Sequence, residues 1–95
     1  MFTIWKFPIY PQPGDQHIKI PACAELLSVG DQHGTIMLWY VVETNQATVT
    51  KSFVVVPTGG ELPYQRKDML FCGTVTHEVK DTGLDLVWHV FEVRT

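Results

Sequence analysis

Thr35-Ile36-Met37-Leu38-Trp39-Tyr40-Val41-Val42-Glu43 reads as a strand, and its two alternating sets of side chains decide the fold. Side chains on a strand point to opposite faces in turn. Ile36, Leu38, Tyr40 and Val42 therefore make one face, and Met37, Trp39 and Val41 make the other. Both faces are apolar, as in strands covered by protein above and below. A short chain has little material for two covering layers. The pattern thus predicts that one cover comes from a second subunit, or from a sheet curled into a barrel or sandwich. The block Phe53-Val54-Val55-Val56 repeats the two-sided pattern and the same inference.

Outward from this strand the chain continues in β rhythm. The cluster Gly30-Asp31-Gln32-His33-Gly34 reads as a hairpin turn leading back to Leu26–Val29. Further upstream, Phe2–Ile9 and Gln16–Ile20 read as strands separated by the Tyr10–Asp15 turn with its two prolines, and Pro21–Glu25 reads as a turn or kink. Downstream, Val49–Val56 ends at Pro57, and Met69–Val79 with Leu84–Val93 forms a closing hairpin around Lys80-Asp81-Thr82-Gly83. The segment Thr58–Asp68 is the longest without strand pattern and the expected seat of binding residues. The fold class predicted is all-β: one domain over 1–95, a small, mostly antiparallel sandwich or partly open barrel of six or seven strands, completed by oligomerisation.

The 95 residues include 7 Lys+Arg and 10 Asp+Glu, a formal net charge of -3. That balance offers no basic field for nucleic acid or an anionic membrane surface, so neither is expected as a partner. The longest apolar run, Ile36–Val42, is far shorter than the roughly 20 residues of a spanning helix. The start Met1-Phe2-Thr3-Ile4-Trp5-Lys6 lacks the charge and apolar pattern of a signal peptide, which makes cytoplasm the expected compartment. Cys23 and Cys72 stand apart from any CxxC or CxxH spacing and read as buried free thiols.

Candidate chemistry is sparse. His17, His33, His77 and His89 show no metal-ligand spacing, so no metal or cofactor is expected. His89 lies among apolar residues and needs a hydrogen-bond partner there or a cavity to face. Ser28 and Ser52 fall inside strands without a nucleophile frame, and Asp85 stands about 13 Å from His89 along one strand, too far for a bond. Thr58-Gly59-Gly60 is the sharpest small motif, since two glycines can turn consecutive N–H groups inward around an anion, with a plain turn as the alternative. Tyr64, Arg66 and Lys67 follow in the same loop and supply an aromatic face and two cations for a base and a phosphate. Trp5, Trp39 and Trp88 read first as core, and as stacking surfaces if a pocket forms between subunits.

Ile4-Trp5-Lys6-Phe7-Pro8, the Gly34–Trp39 strand entry, Thr58-Gly59 before Leu62-Pro63, Gly73-Thr74, and Trp88-His89-Val90-Phe91-Glu92 together resemble a family of small proteins of bacteriophages and their bacterial hosts. The match runs in order along nearly the whole chain, departing chiefly in length at Thr44–Thr48 and Gln65–Asp68. The resemblance brings no established activity. What it implies is a setting: small oligomeric β proteins of phages that antagonise host immunity, several of which hold nucleotide signals at subunit joints. The expectation is a non-enzymatic homo-oligomer that sequesters a small anionic nucleotide-type ligand, such as a cyclic ADP-ribose or cyclic dinucleotide, in the host cytoplasm. Its ligand-binding residues would be Thr58, Gly59, Gly60, Tyr64, Arg66, Lys67, Trp88 and His89. Two alternatives stand beside it: an interaction protein docking a phage or host protein by sheet edge or face, and a small hydrolase of a nucleotide signal.

Overall fold

A computed structural model describes residues 1–94. The strand read first is β4, Thr35–Glu43, and it is the middle of a three-stranded antiparallel sheet. One neighbour is β1, Phe2–Ile9, paired from Phe2↔Glu43 to Ile9↔Ile36. The other is β3, Glu25–Gln32, with a bulge between Leu26 and Ser28. β3 is longer than the sequence suggested: Gly30, Asp31 and Gln32 remain in the ladder, and only His33 and Gly34, both at positive φ, make the hairpin turn. Two consecutive residues at positive φ are what a tight hairpin requires.

The second sheet has the order β2-β5-β7-β6. Its members are β2, Gln16–Pro21; β5, Thr48–Pro57; β6, Met69–Val79; and β7, Leu84–Val93. All four pair antiparallel, and β6 carries a bulge between Phe71 and Gly73. The expected all-β class holds, with seven strands among the described residues as two open sheets and no closed barrel. A 3-10 turn, Arg66–Asp68, interrupts the long loop before β6. No helix of the described residues is long and apolar enough to cross a membrane.

The sheets face one another across a core that includes Ile9, Ile20, Leu38, Tyr40, Val42, Phe53 and Val90, each with 1% of its surface or less in contact with solvent. Burying a side chain of this size is worth roughly 1.5–3 kcal/mol. At one side the edge strands β3 and β6 run against each other, and Gly73 lets the backbone of β6 come within van der Waals reach of Val29.

The two-sided dryness expected of β4 is realised on one face only. Ile36, Leu38, Tyr40 and Val42 are buried, whereas Met37, Trp39 and Val41 are half-buried on the outer face. The Trp39 ring lies over Gly30, and Lys6 Nζ reaches the Gln32 side chain at 2.6 Å, linking β1 to β3 across β4. In β5 all four residues Phe53–Val56 are buried within the single chain. Phe53 and Val55 enter the core, while Val54 and Val56 are buried beside the chain's own loops, so no second subunit is needed to cover that block. Cys23 also departs from expectation. It is exposed in the turn after β2 at φ 63, and Cys72 is half-buried; both thiols are free.

Candidate functional site

The best-formed concavity, a groove of about 380 Å³, lies where β5 runs past the end of β2. Its geometry follows from the ladder. The Thr58 N–H donates to the Val87 carbonyl at 3.1 Å, one step beyond the Pro57↔Trp88 pair. Antiparallel ladders alternate bonded and non-bonded pairs, so Val56 and Val54 also turn their main-chain groups toward β7. Val55 and Pro57 turn theirs the other way, where β2 has already ended at Gln16↔Phe53. Proline has no N–H to leave stranded at that edge, and its carbonyl accepts from the Gly60 N–H at 2.9 Å. Val55 is left with an N–H and a carbonyl facing the groove, and no backbone bond reaches it from either flanking loop.

Two loops wall this edge. The first, with Pro11, Pro13 and Gly14 in the lining, is closed at its base by the Gln16 side chain, which donates to the Tyr10 carbonyl at 2.6 Å and accepts from the Tyr10 N–H at 2.9 Å. The second contributes Gly60, Glu61 and Pro63. Tyr64 ties the loops together by donating its hydroxyl to Asp15 Oδ2 at 2.8 Å, and this acceptor carboxylate holds the phenol above its usual range. Val54, Val56 and Trp88 supply apolar floor, and Glu61 is the one charged residue of the lining among the described residues.

The residues singled out in the sequence are divided by the fold. Thr58 and His89 are brought together: His89 Nε2 lies 2.8 Å from Thr58 Oγ1, and Nδ1 lies 2.9 Å from Thr74 Oγ1. The imidazole thus has hydroxyl partners on both nitrogens, one of which donates while the other accepts. Gly60 and Trp88 line the groove. Gly59, at φ 87, occupies the third position of a turn closed by the Gly60-to-Pro57 bond, the type II position that favours glycine. The N–H groups of Thr58 and Gly60 are both donated within the chain, so of this turn the Gly59 N–H is left for an anion. Arg66 and Lys67 sit in the 3-10 turn that enters β6, where Met69 stands opposite Val93. Thr58 follows the Pro57↔Trp88 pair, five positions back along β7, about 17 Å at strand rise. The two cations therefore do not converge with the glycine turn.

The fold assembles two further groups. His17 Nδ1 lies 2.8 Å from Ser52 Oγ across β2 and β5, without a carboxylate orienting the ring among the described residues. At the far end of the core, Glu92 lies 3.6 Å from Lys51 Nζ and 3.3 Å from Arg94 Nε, and Lys51 stands 5.8 Å from the Tyr40 ring centre. Burial, aided by nearby Glu92, pushes the Cys72 thiol up to about 11; burial also raises the Tyr40 phenol strongly. A thiol held protonated is a poor nucleophile. Sequence reasoning missed this cluster, although a signal was present: Glu92 shares strand parity with buried Val90, so its carboxylate needed cations nearby. No three metal-ligating side chains converge among the described residues.

Fold and groove together define a small two-sheet β domain with a lateral, largely apolar groove. The chain belongs to the family described as Domain of unknown function (DUF7352), whose model matches residues 1–95. No curated protein matches the chain, and no solved structure does.

Proposed function

We propose that the protein is a non-enzymatic interaction module that takes an extended apolar segment of a protein partner into the groove at the edge of β5. The observation that carries this reading is the unpaired main chain of Val55 at the foot of an apolar cleft walled by Pro11, Pro13, Pro63 and Trp88. An added strand satisfies such an edge through its backbone, and pockets for alternate side chains give it specificity. Glu61 selects a segment with a lysine or arginine among its apolar residues. The resemblance of both termini to proteins of bacteriophages and their hosts supports a phage or host protein, in the host cytoplasm, as the partner.

The test is selection of peptides from a random library on the purified protein, followed by titration read by tryptophan fluorescence. Selected peptides should share alternating apolar residues and one cation. Val55→Pro removes the groove-facing N–H while keeping the bonds from Val54 and Val56 to β7, and it should weaken binding at least tenfold. Glu61→Lys should do likewise for the cationic peptides. Peptides that bind both variants as well as the parent, or no selection at all, overturn the reading.

The sequestering of a small anionic nucleotide-type ligand is the second reading, and the placement of Gly60 and Trp88 in one groove beside the Thr58–His89 pair supports it. Against it weighs the charge of that groove, which among the described residues holds Glu61 and no cation. A thermal-shift panel of cyclic dinucleotides and ADP-ribose derivatives separates the two. Saturation at a hundred times Kd adds about 2.7 kcal/mol, several degrees for a domain of this size. Such a shift would replace the peptide reading.

A further inference from the structure

We infer that the protein pairs with a second copy of itself through the free edge of β1, joining the two three-stranded sheets into one of six strands. The Thr44 N–H donates to the Met1 carbonyl at 3.0 Å, in register with Phe2↔Glu43. By the same alternation as in β5, Met1, Thr3, Trp5, Phe7 and Ile9 bond to β4. Phe2, Ile4, Lys6 and Pro8 direct their main-chain groups to the open side.

This edge is long and apolar. Phe2 is 75% exposed, Ile4 57% and Trp5 42%. An edge strand of this kind is a template for another strand, and proteins blunt it with proline and charge or use it up in a closed pair. Pro8 sets the limit here. An antiparallel pairing of β1 with its copy about a two-fold axis at Ile4 opposes Phe2 to Lys6 of the second copy and Thr3 to Trp5 of the second copy. It uses the N–H and carbonyl of Phe2, Ile4 and Lys6 on both chains and leaves the proline outside the ladder.

The side chains fit the same axis. Phe2, Ile4, Lys6 and Glu43 share the outer face, since Phe2 stands opposite Glu43 in the β1–β4 register. Lys6 of the second copy would lie beside Phe2, two strand spacings or about 9.5 Å from Glu43. Its methylene stem then covers the exposed Phe2 ring, and its ammonium, exchanged from Gln32, joins the Met1 amine at the Glu43 carboxylate within the joint reach of the two side chains. The axis makes this contact twice. Phe2, Ile4 and Val41 already border a shallow depression on this face, which the copy would border from the other side. Because a two-fold pair uses up the β1 edge of both copies, this contact closes at two and does not propagate into a fibre.

The experiment is sedimentation velocity on the full chain from roughly 1 to 100 µM, a span that brackets a micromolar Kd, with far-UV circular dichroism alongside. The expected result is twice the 10.8 kDa mass of one chain at the upper end. Ile4→Pro removes an edge-facing donor that makes no bond to β4, and should give a folded monomer. Lys6→Glu, which sets like charge against Glu43, should raise the dimer Kd at least tenfold and does not touch the backbone. A monomer at all concentrations overturns the inference. So does a dimer that survives either variant in folded form.

Discussion

Gly73→Ala tests the joint at which the two sheets meet. Gly73 lies in β6 opposite Val90, and an ideal Cβ built on it would stand 3.0 Å from Val29 Cβ and 3.2 Å from Val29 Cγ2. Its φ is not positive, so a side chain there meets no backbone penalty and the cost is contact alone. Overpacking by a methyl group costs about 1–3 kcal/mol. Against this, alanine restricts the unfolded chain and returns about 0.4–1 kcal/mol. The net loss of about 1–2 kcal/mol corresponds to a Tm fall of roughly 4–15 °C at this chain length. The diagnostic measurement is the same change in a Val29→Gly background, where the obstructing carbons are gone. There Gly73→Ala should be neutral or stabilising, giving a coupling free energy of about 1–3 kcal/mol by thermal and urea unfolding. Equal losses in the two backgrounds would refute the close approach of β3 and β6.

Thiol labelling at pH 8.5 should add one group to the native chain, at exposed Cys23, and two after denaturation, because Cys72 is half-buried and held protonated; Cys23→Ala should bring the native count to zero. The same raised thiol makes stability fall with alkali. Between about 9, the ordinary thiol value, and about 11, the unfolded chain releases a proton the folded chain keeps, so Tm should drop in that window, and Cys72→Ser should flatten the drop. At the acid end the sign reverses. The Met1 amine and the Asn45 N–H hold the Glu43 carboxyl below its ordinary 4.5, so their contribution is present above 4.5 and lost as pH falls through the lowered value; Glu43→Gln should reduce the acid loss of Tm. Tyr64→Phe removes the tie between the groove's two walls, and hydrogen exchange should speed up in the 10–15 and 58–65 loops while the strands keep their protection. Unchanged loop exchange would show that the hydroxyl of Tyr64 is not what joins them.

The family match over residues 1–95 defines kinship without chemistry, so function has to be argued from the site itself. The β5 edge and the β1 edge are distinct surfaces on different sheets. The two proposals, self-pairing at one edge and partner capture at the other, rest on one physical device used twice: a ladder that continues on one side of a strand and stops on the other.

By itself the sequence determined the strands and their order along the chain. Period-two patterning and the positions of Gly, Pro and Asp set the bounds of β1, β4, β6 and β7, because these signals act over a few residues. It erred where local punctuation was overruled. Gly30 reads as part of a turn, yet it stays in β3 because the Trp39 ring needs the space above it. It also left open what covers an apolar strand, since patterning reports that a face is dry and says nothing of what makes it so. Only the tertiary structure decided that Val54 and Val56 are covered within the chain, that Thr58 and Thr74 engage His89 while Arg66 and Lys67 are carried to the other end of the sheet, and that Val55 and Ile4 have main-chain groups facing outward. Those facts depend on register between strands far apart in sequence. A shift of one residue exchanges inward and outward faces, and nothing local in the chain fixes it.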